Sequence, residues 1–251
     1  MCGYARRHIS NRDLDKFVKT IELAVQFKNR PEQEEPLLEH FYPAFGGAAS
    51  RQIKGMIIQK EGQTKAVDAT WWFDCTELDG TLVVNNSRTT FNARNLTSPY
   101  WKGAIRHHRG IAIATAIGEG KSINGKNKHY FVEGETPLLL GTVYRAFPSE
   151  LYSTAIITRD SHPRFEPYHD KAFPLFLPHD VEFLKLWLDN DTPETHPAIA
   201  HLLTNPRIFN NLKITPVKTF KDAVATGDTE LLEADDLAAC PCISAGAVSS
   251  A

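Results

Sequence analysis

Cys2 has the most distinctive potential chemistry in this sequence, because it follows Met1 directly and precedes Gly3. Removal of Met1 would expose a 1,2-aminothiol, whose α-amine has a pKa of about 7.7–8.0 and is therefore neutral in roughly a tenth of molecules at pH 7. A neutral amine can condense with an aldehyde, and the adjacent thiol can close onto the imine to give a five-membered thiazolidine. The same pair could instead hydrolyse an amide, with the thiolate as nucleophile and the amine as base. Alternatively, Cys2 is an ordinary second residue.

Positive charge is concentrated in the middle of the sequence, although the formal net charge is only −2. Residues 85–130 contain eight cations and a single anion, Glu119. The cations are Arg88, Arg94, Lys102, Arg106, Arg109, Lys121, Lys126 and Lys128. Such an excess favours a phosphate-binding face. Alternatively, the cations are scattered over several strands and simply contact solvent.

Length and composition are those of a globular protein. The 251 residues are 42% hydrophobic and 23% charged, which argues against disorder, collagen and coiled coil. There is no apolar run of about 18 residues and no apolar signal core near the start, so we expect no membrane contact and no secretion. The four cysteines lack the paired spacing of a zinc site, and we expect no metal, cofactor or disulfide framework. These features favour a monomer that is cytoplasmic or nucleoid-associated.

The apolar pattern predicts one α+β domain with a mixed, barrel-like sheet flanked by helices. It predicts helices over residues 10–30, 180–189 and 193–203, with Ser10 and Thr192 as N-caps of the first and third. Strands are predicted over residues 55–59, 64–73, 81–85, 110–117, 129–133, 138–147, 154–158 and 214–217. Hairpin turns are predicted at Asp79-Gly80 and Asn124-Gly125. We assign the domain to residues 1–237 and expect the small-residue tail, 238–251, to be disordered.

Four short motifs follow Cys2 along the chain. They are Phe91-Asn92-Ala93-Arg94, the stretch 114–120 around Glu119, the stretch 158–175 with His169 and Lys171, and Thr215-Pro216-Val217. Together with the early cysteine, they resemble the SOS-response-associated peptidase (SRAP) family, which crosslinks covalently to abasic sites in single-stranded DNA. The resemblance extends over residues 2–237 and implies an SRAP-like fold.

The sequence also departs from the family pattern. Tyr4 stands where the family has an arginine, and Lys171 stands where an arginine is expected. The aromatic residues that flank the family's glutamate are absent, with Gly118 and Gly120 near Glu119 instead. The chain therefore resembles a divergent member.

The resemblance implies a catalytic role for four residues. Cys2 would be the nucleophile, and Asn92 would hydrogen-bond near the bound sugar or the amine. Glu119 would act as general acid and base beside the amine, and His169 would protonate the sugar ring oxygen or shuttle protons. The alternatives are a turn-forming Asn92, a charge-balancing Glu119 and a structural His169, with His162 and His179 as nearby competitors.

Four further residues are candidates for DNA contacts. The resemblance implies that Arg94 and Lys171 hold phosphates, although Arg94 could equally be a solvated surface residue. Trp71 and Trp72 are adjacent on a predicted strand and therefore face opposite sides. One of them could stack on an unpaired base. Core packing of both rings is the alternative.

The function implied by the resemblance is binding of single-stranded DNA and formation of a thiazolidine crosslink between Cys2 and an abasic site, which would shield the lesion. Autoproteolytic removal of Met1 by a cysteine-type peptidase activity, and strand cleavage as a lyase side activity, would accompany it. Two other readings stay open. One is an N-terminal-cysteine amidase or peptidase, and the other is a catalytically degenerate DNA-binding module.

Overall fold

The computed structural model describes residues 3–23, 25, 27, 34–44 and 47–236. The helices in this part of the chain are α1 (Asn11–Thr20), α2 (Gly47–Ser50), α3 (Pro99–His107), α4 (Val181–Leu188) and α5 (Pro197–Thr204). The strands are β1 (Ala5–Ile9), β2 (Leu37–Phe41), β3 (Gln52–Lys60), β4 (Gln63–Thr70), β5 (Cys75–Leu78), β6 (Thr81–Val84), β7 (Asn92–Ala93), β8 (Arg109–Ile123), β9 (Lys126–Ala146), β10 (Tyr152–Arg159), β11 (Phe173–Pro174), β12 (Leu212–Val217) and β13 (Glu230–Leu232).

Five of the strands close into a barrel. β9 pairs with β10, β10 with β4, β4 with β3, β3 with β8, and β8 returns to β9. The β10–β4 pairing is parallel and the other four are antiparallel, so the barrel is mixed. β1 and β2 extend the sheet from β8, while β12 and β13 extend it from β9. The predicted single α+β domain with a mixed, barrel-like sheet is confirmed.

Strand β8 is buried on both faces. Successive side chains of a strand point to opposite sides, and in β8 each side faces a different core cluster. Ile111 and Ile113 belong to a core cluster that includes Trp187 of α4. Ala112 and Ala114 belong to a second cluster on the other side. The strand therefore runs through the interior of the domain, and it carries Glu119 into buried surroundings.

The first helix is correctly placed but shorter than predicted. The Ser10 hydroxyl accepts a hydrogen bond from the backbone N–H of Asp13 at 3.0 Å, which confirms the predicted N-cap. The helix ends at Thr20 rather than at residue 30, and Glu22 has a left-handed φ of 50° that a continuing helix cannot adopt.

The later helices agree with the prediction in part. Helix α4 lies within the predicted range, with Asp180 as its N-cap. Helix α5 begins at Pro197, four residues later than predicted, and the Thr192 hydroxyl donates to the Asp189 carboxylate instead of capping a helix. Helix α3, which buries Trp101, Ala104 and Ile105, was not predicted.

Most of the predicted strands are longer in the structure, whereas β4 and β6 are shorter than predicted. The predicted strands 129–133 and 138–147 are parts of the continuous strand β9, and β8 continues past residue 117 to Ile123. Glu119 therefore lies within β8, two residues beyond the predicted end of this strand. Long pairing with β9 extends both strands to the Asn124-Gly125 turn, where both residues have left-handed φ values of 51° and 75°. The predicted turn at Asp79-Gly80 is likewise confirmed, with φ values of 48° and 69°.

Several predictions lie outside the described residues. These include Met1, Cys2 and the tail 238–251 with Cys240 and Cys242. Within the described part of the chain, no helix combines the length and the apolar character needed to cross a membrane.

Candidate active site

The first described residues lie against the middle of β8. Ala5 pairs with Ile117, and the backbone N–H of Gly118 donates to the carbonyl of Tyr4 at 3.0 Å. Continuing this antiparallel register by one more residue sets Gly3 opposite Glu119. Cys2 itself is not described, but a peptide bond joins it to Gly3. The strand register therefore directs Gly3 toward Glu119.

Tyr4 is an aromatic anchor for this end of the chain. It is fully buried, its hydroxyl hydrogen-bonds His40 Nδ1 at 2.9 Å, and its ring stacks on Phe220 with centroids 5.4 Å apart. A Cβ on Gly118 would lie 2.6 Å from the Phe220 ring and 2.8 Å from the Tyr4 ring. Two of the departures from the family pattern are thus physically linked, because the glycine makes room for the tyrosine.

Glu119 and His169 form the centre of the candidate site. Both are buried, with 1% and 4% of their surface exposed. Their closest side-chain atoms, His169 Nδ1 and Glu119 Oε2, are 3.6 Å apart. The same Nδ1 is 2.6 Å from the carbonyl oxygen of Gly120, to which it donates. Burial lowers the pKa of His169, which favours a neutral imidazole with Nε2 as its acceptor nitrogen at pH 7.

The competing histidines have other partners. His162 Nε2 lies 3.1 Å from the Asp235 carboxylate, and His179 Nε2 lies 3.0 Å from the carbonyl oxygen of Pro137. His169 is thus the one of the three that the structure sets beside Glu119. The catalytic role of His169 stays a prediction.

The loop that carries His169 is held by a hydrogen bond within the loop and by bonds to the C-terminal segment. Within the loop, Ser161 Oγ donates to the His169 carbonyl at 3.0 Å. Asp235, near the end of the described chain, accepts hydrogen bonds from His162 and Arg164 of the loop and from the backbone N–H of Ile208 at 2.8–3.1 Å. The acidic C-terminal segment therefore fastens the loop to the domain. Sequence reasoning missed this role of Asp235, because no motif or spacing connects it to His169.

Replacing Asp235 should weaken the attachment of this loop. The carboxylate is only 8% exposed, and Asp235→Ala would leave the half-buried His162 and the backbone N–H of the buried Ile208 without their acceptor. We expect the free energy of unfolding to fall by about 2–4 kcal/mol, measured by urea denaturation. Asp228→Ala, which removes an exposed carboxylate from the same acidic segment, is the matched control and should change stability little. Equal stabilities of the two variants would contradict this account of the loop.

Asn92 and Arg94 lie beside the strand that leads into this loop. Asn92 is half-buried on β7, which pairs in parallel with β10 at Ile156. Arg94 is exposed and donates to the Asp160 carboxylate at 3.0 Å. Asp160 directly follows β10, so both predicted site residues approach the loop from its N-terminal side.

The remaining predicted DNA contacts differ in accessibility. Lys171 is exposed two residues after His169. Trp71 and Trp72 are 0% and 6% exposed, and their indole N–H groups donate to the carbonyls of Phe91 and Asn85. The structure therefore shows core packing for both tryptophans, and neither ring face is open to an unpaired base.

The cations of residues 85–130 do not form one continuous face. Lys102 and Arg106 belong to α3, near the start of β8, whereas Lys126 and Lys128 lie at its far end. Arg109 is only 1% exposed and donates to backbone carbonyls. The alternative of scattered cations is thus the better description. No cluster of His, Cys, Asp and Glu suited to a metal occurs in the described residues.

Comparisons with known proteins complete this description. A family model described as SOS response associated peptidase (SRAP) matches residues 1–222. The sequence matches no curated protein. Among solved structures, a phage-related protein from Bordetella bronchiseptica is similar with a TM-score of 0.58 and 18% identity, covering 91% of this chain and 100% of its own.

Two further solved structures share the fold. A protein from Bacteroides thetaiotaomicron has a TM-score of 0.59 and 13% identity, over 87% of this chain and 93% of its own. Another Bordetella bronchiseptica protein has a TM-score of 0.57 and 16% identity, over 87% of this chain and 100% of its own. Since the family model covers most of the sequence and the folds agree, the chain belongs to the SRAP family of SOS-response-associated peptidases.

Proposed function

We propose that this protein captures abasic sites in single-stranded DNA through the aminothiol of Cys2. Family membership links the chain to the SOS response. The observation that carries the proposal is the buried Glu119–His169 pair, toward which the strand register directs Gly3. A carboxylate and an imidazole at this position are the groups that imine formation needs for its proton transfers.

The chemistry would proceed through the open-chain form of the lesion. An abasic site is a hemiacetal in equilibrium with an aldehyde at C1′. The α-amine of Cys2 adds to this carbon, and loss of one water gives an imine. The thiol then adds across the imine, so that sulfur bonds to C1′ and its proton passes to nitrogen. The product is a thiazolidine, and one water is released overall.

Glu119 and His169 would divide the proton transfers. Glu119 would take a proton from the amine nitrogen once it has added to C1′, and would return that proton to the departing hydroxyl. His169 would deliver a proton to the sugar ring oxygen as the hemiacetal opens. The 3.6 Å between His169 Nδ1 and Glu119 Oε2 is longer than a hydrogen bond, so each group would exchange protons with the substrate rather than with the other group. The exposed Arg94 and Lys171 would hold phosphates on either side of the lesion, with Lys171 as a point charge rather than a planar fork.

A denaturing gel tests the proposal. Wild-type protein incubated with an abasic single-stranded oligonucleotide should give a shifted band that survives denaturation, and Cys2→Ala should give none. Cys75→Ala is the matched control and should keep the band, because Cys75 is buried and burial raises the pKa of its thiol to about 11. A shifted band of equal intensity from Cys2→Ala would contradict the proposal.

The other readings predict different results when the same protein is given abasic DNA, intact DNA, glutamine or a peptide. Turnover of glutamine or a peptide without any shifted band would favour the N-terminal-cysteine amidase. Salt-sensitive binding without a covalent product would favour a degenerate DNA-binding module. Shortened DNA fragments would reveal lyase activity from the imine. The intact mass of the purified protein shows whether Met1 has been removed, and a retained Met1 would block both catalytic readings.

A further inference from the structure

A polar cleft lies between the loop that carries His169 and the C-terminal end of α5. Its volume is about 320 Å³, and the residues that matter for its chemistry are Arg159, Ser161, Asn205 and Arg207. Ser161 and Asn205 supply neutral polar groups, and the two arginines supply positive charge. The cleft is thus built for a polar ligand rather than an apolar one.

The guanidinium of Arg159 is held in place by backbone carbonyls. Its Nε donates to Leu203 at 2.6 Å and its Nη1 donates to Arg94 at 2.9 Å. These bonds fix the orientation of the group while leaving its charge unneutralised. Burial lowers the pKa of Arg159, but an arginine remains cationic at neutral pH.

Arg207 provides a second cation on the same cleft. Its Nε is buried and, within the described residues, has no hydrogen-bond partner. In that same part of the chain, neither Arg207 nor Arg159 makes an ion pair with a carboxylate within 4.0 Å. The carboxylate at the cleft, Asp160, instead pairs with Arg94. A buried donor without an acceptor is costly, so a bound anion would stabilise this arrangement.

Residues that line the cleft are hydrogen-bonded to residues of the candidate active site. Ser161 donates to the carbonyl of His169, and Arg159 donates to the carbonyl of Arg94. His169, which the proposed function assigns to catalysis, and Arg94, which it assigns to phosphate binding, are therefore hydrogen-bonded to residues that line the cleft.

We propose that this cleft binds a backbone phosphate of single-stranded DNA next to the captured nucleotide, with Arg159 and Arg207 as its ligands. Guanidinium groups are favoured ligands of phosphate, and two of them line this small polar cavity: Arg159, which is held by backbone carbonyls, and Arg207, whose buried Nε has no partner among the described residues. The inference rests on the proposed function and names two further residues that hold its substrate.

Binding of intact single-stranded DNA tests this inference without requiring any covalent chemistry. The probe is a fluorescent oligonucleotide that lacks an abasic site, and anisotropy gives Kd over a range of salt concentrations. Arg207→Ala should raise Kd about fivefold to twentyfold at low salt and reduce the slope of log Kd against log salt by about 0.7, the change expected for one lost phosphate contact. Arg106→Ala, an exposed arginine on α3, is the matched control and should leave both values unchanged.

A second variant, Asp160→Asn, is expected to strengthen DNA binding rather than weaken it. Asp160 is exposed, and Asp160→Asn would remove a negative charge from the cleft and release Arg94 from its ion pair. This variant should lower Kd several-fold, which a variant that merely damaged the fold would not do. Equal Kd values and salt slopes for Arg207→Ala and Arg106→Ala would overturn the inference. If Arg207→Ala binds weakly while the wild type forms no covalent band, the cleft is supported and the crosslinking proposal fails.

Discussion

Glu119→Gln is expected to slow covalent capture of an abasic site by about 10²–10⁴-fold, the usual contribution of a general acid–base group. Glutamine has nearly the same shape as glutamate but cannot accept and return a proton. Glu119 is buried within β8 and lies 3.6 Å from His169, so no bulk water can readily take over its role. The single-turnover rate of formation of the shifted band, at saturating DNA, measures the effect.

The matched control for this experiment is Glu166→Gln. Glu166 is an exposed carboxylate on the loop that carries His169, and its backbone carbonyl, not its side chain, accepts the bond from Lys121. The control should react at the wild-type rate. A rate for Glu119→Gln within a factor of three of the control would show that proton transfer does not depend on Glu119.

Arg109→Met should lower the free energy of unfolding by about 3–5 kcal/mol, the range for breaking a buried charged network. The guanidinium of Arg109 donates to five backbone carbonyls at 2.6–3.0 Å, those of Ile105, Arg106, Trp187, Asp189 and Thr192. These bonds join the end of α3 to the end of α4. Burial lowers the pKa of Arg109 to about 10, so the group stays cationic at neutral pH. Methionine would fill part of the volume but satisfy none of the carbonyls.

Urea denaturation compares this variant with Arg106→Met, which alters an exposed residue of the same helix. The control should lose little stability. A loss below about 1 kcal/mol for Arg109→Met, typical of a surface substitution, would mean that the carbonyls are satisfied without the guanidinium.

The features that the sequence predicted correctly are largely local ones. The Ser10 cap depends on residues within one helical turn, and the turns at Asp79-Gly80 and Asn124-Gly125 depend on two residues that tolerate left-handed φ. Alternating apolar segments were sufficient to predict a mixed, barrel-like sheet. Strand ends were harder to predict, because β8 is extended by hydrogen bonds to β9 rather than by its own composition.

Features that depend on distant contacts could not be predicted in the same way. Arg109 counts as one more cation in a basic stretch, and only the approach of α4 makes it a buried structural residue. The contribution of Asp235 to the His169 loop likewise joins segments far apart in the sequence. For the candidate site, motif order pointed to Glu119 and His169, and the fold brings these two together. Because Trp71 and Trp72 are adjacent on a strand, the sequence could not decide between base stacking and core packing. The fold buries both rings.

Mass spectrometry of the protein–DNA adduct tests the central claim most directly. After nuclease and trypsin digestion, the account predicts that the remaining sugar adduct resides on the peptide of residues 2–6, with Met1 absent and the adduct stable without a reducing agent. An adduct located on a lysine-containing peptide, or one that appears only after borohydride reduction, would contradict capture by the Cys2 aminothiol.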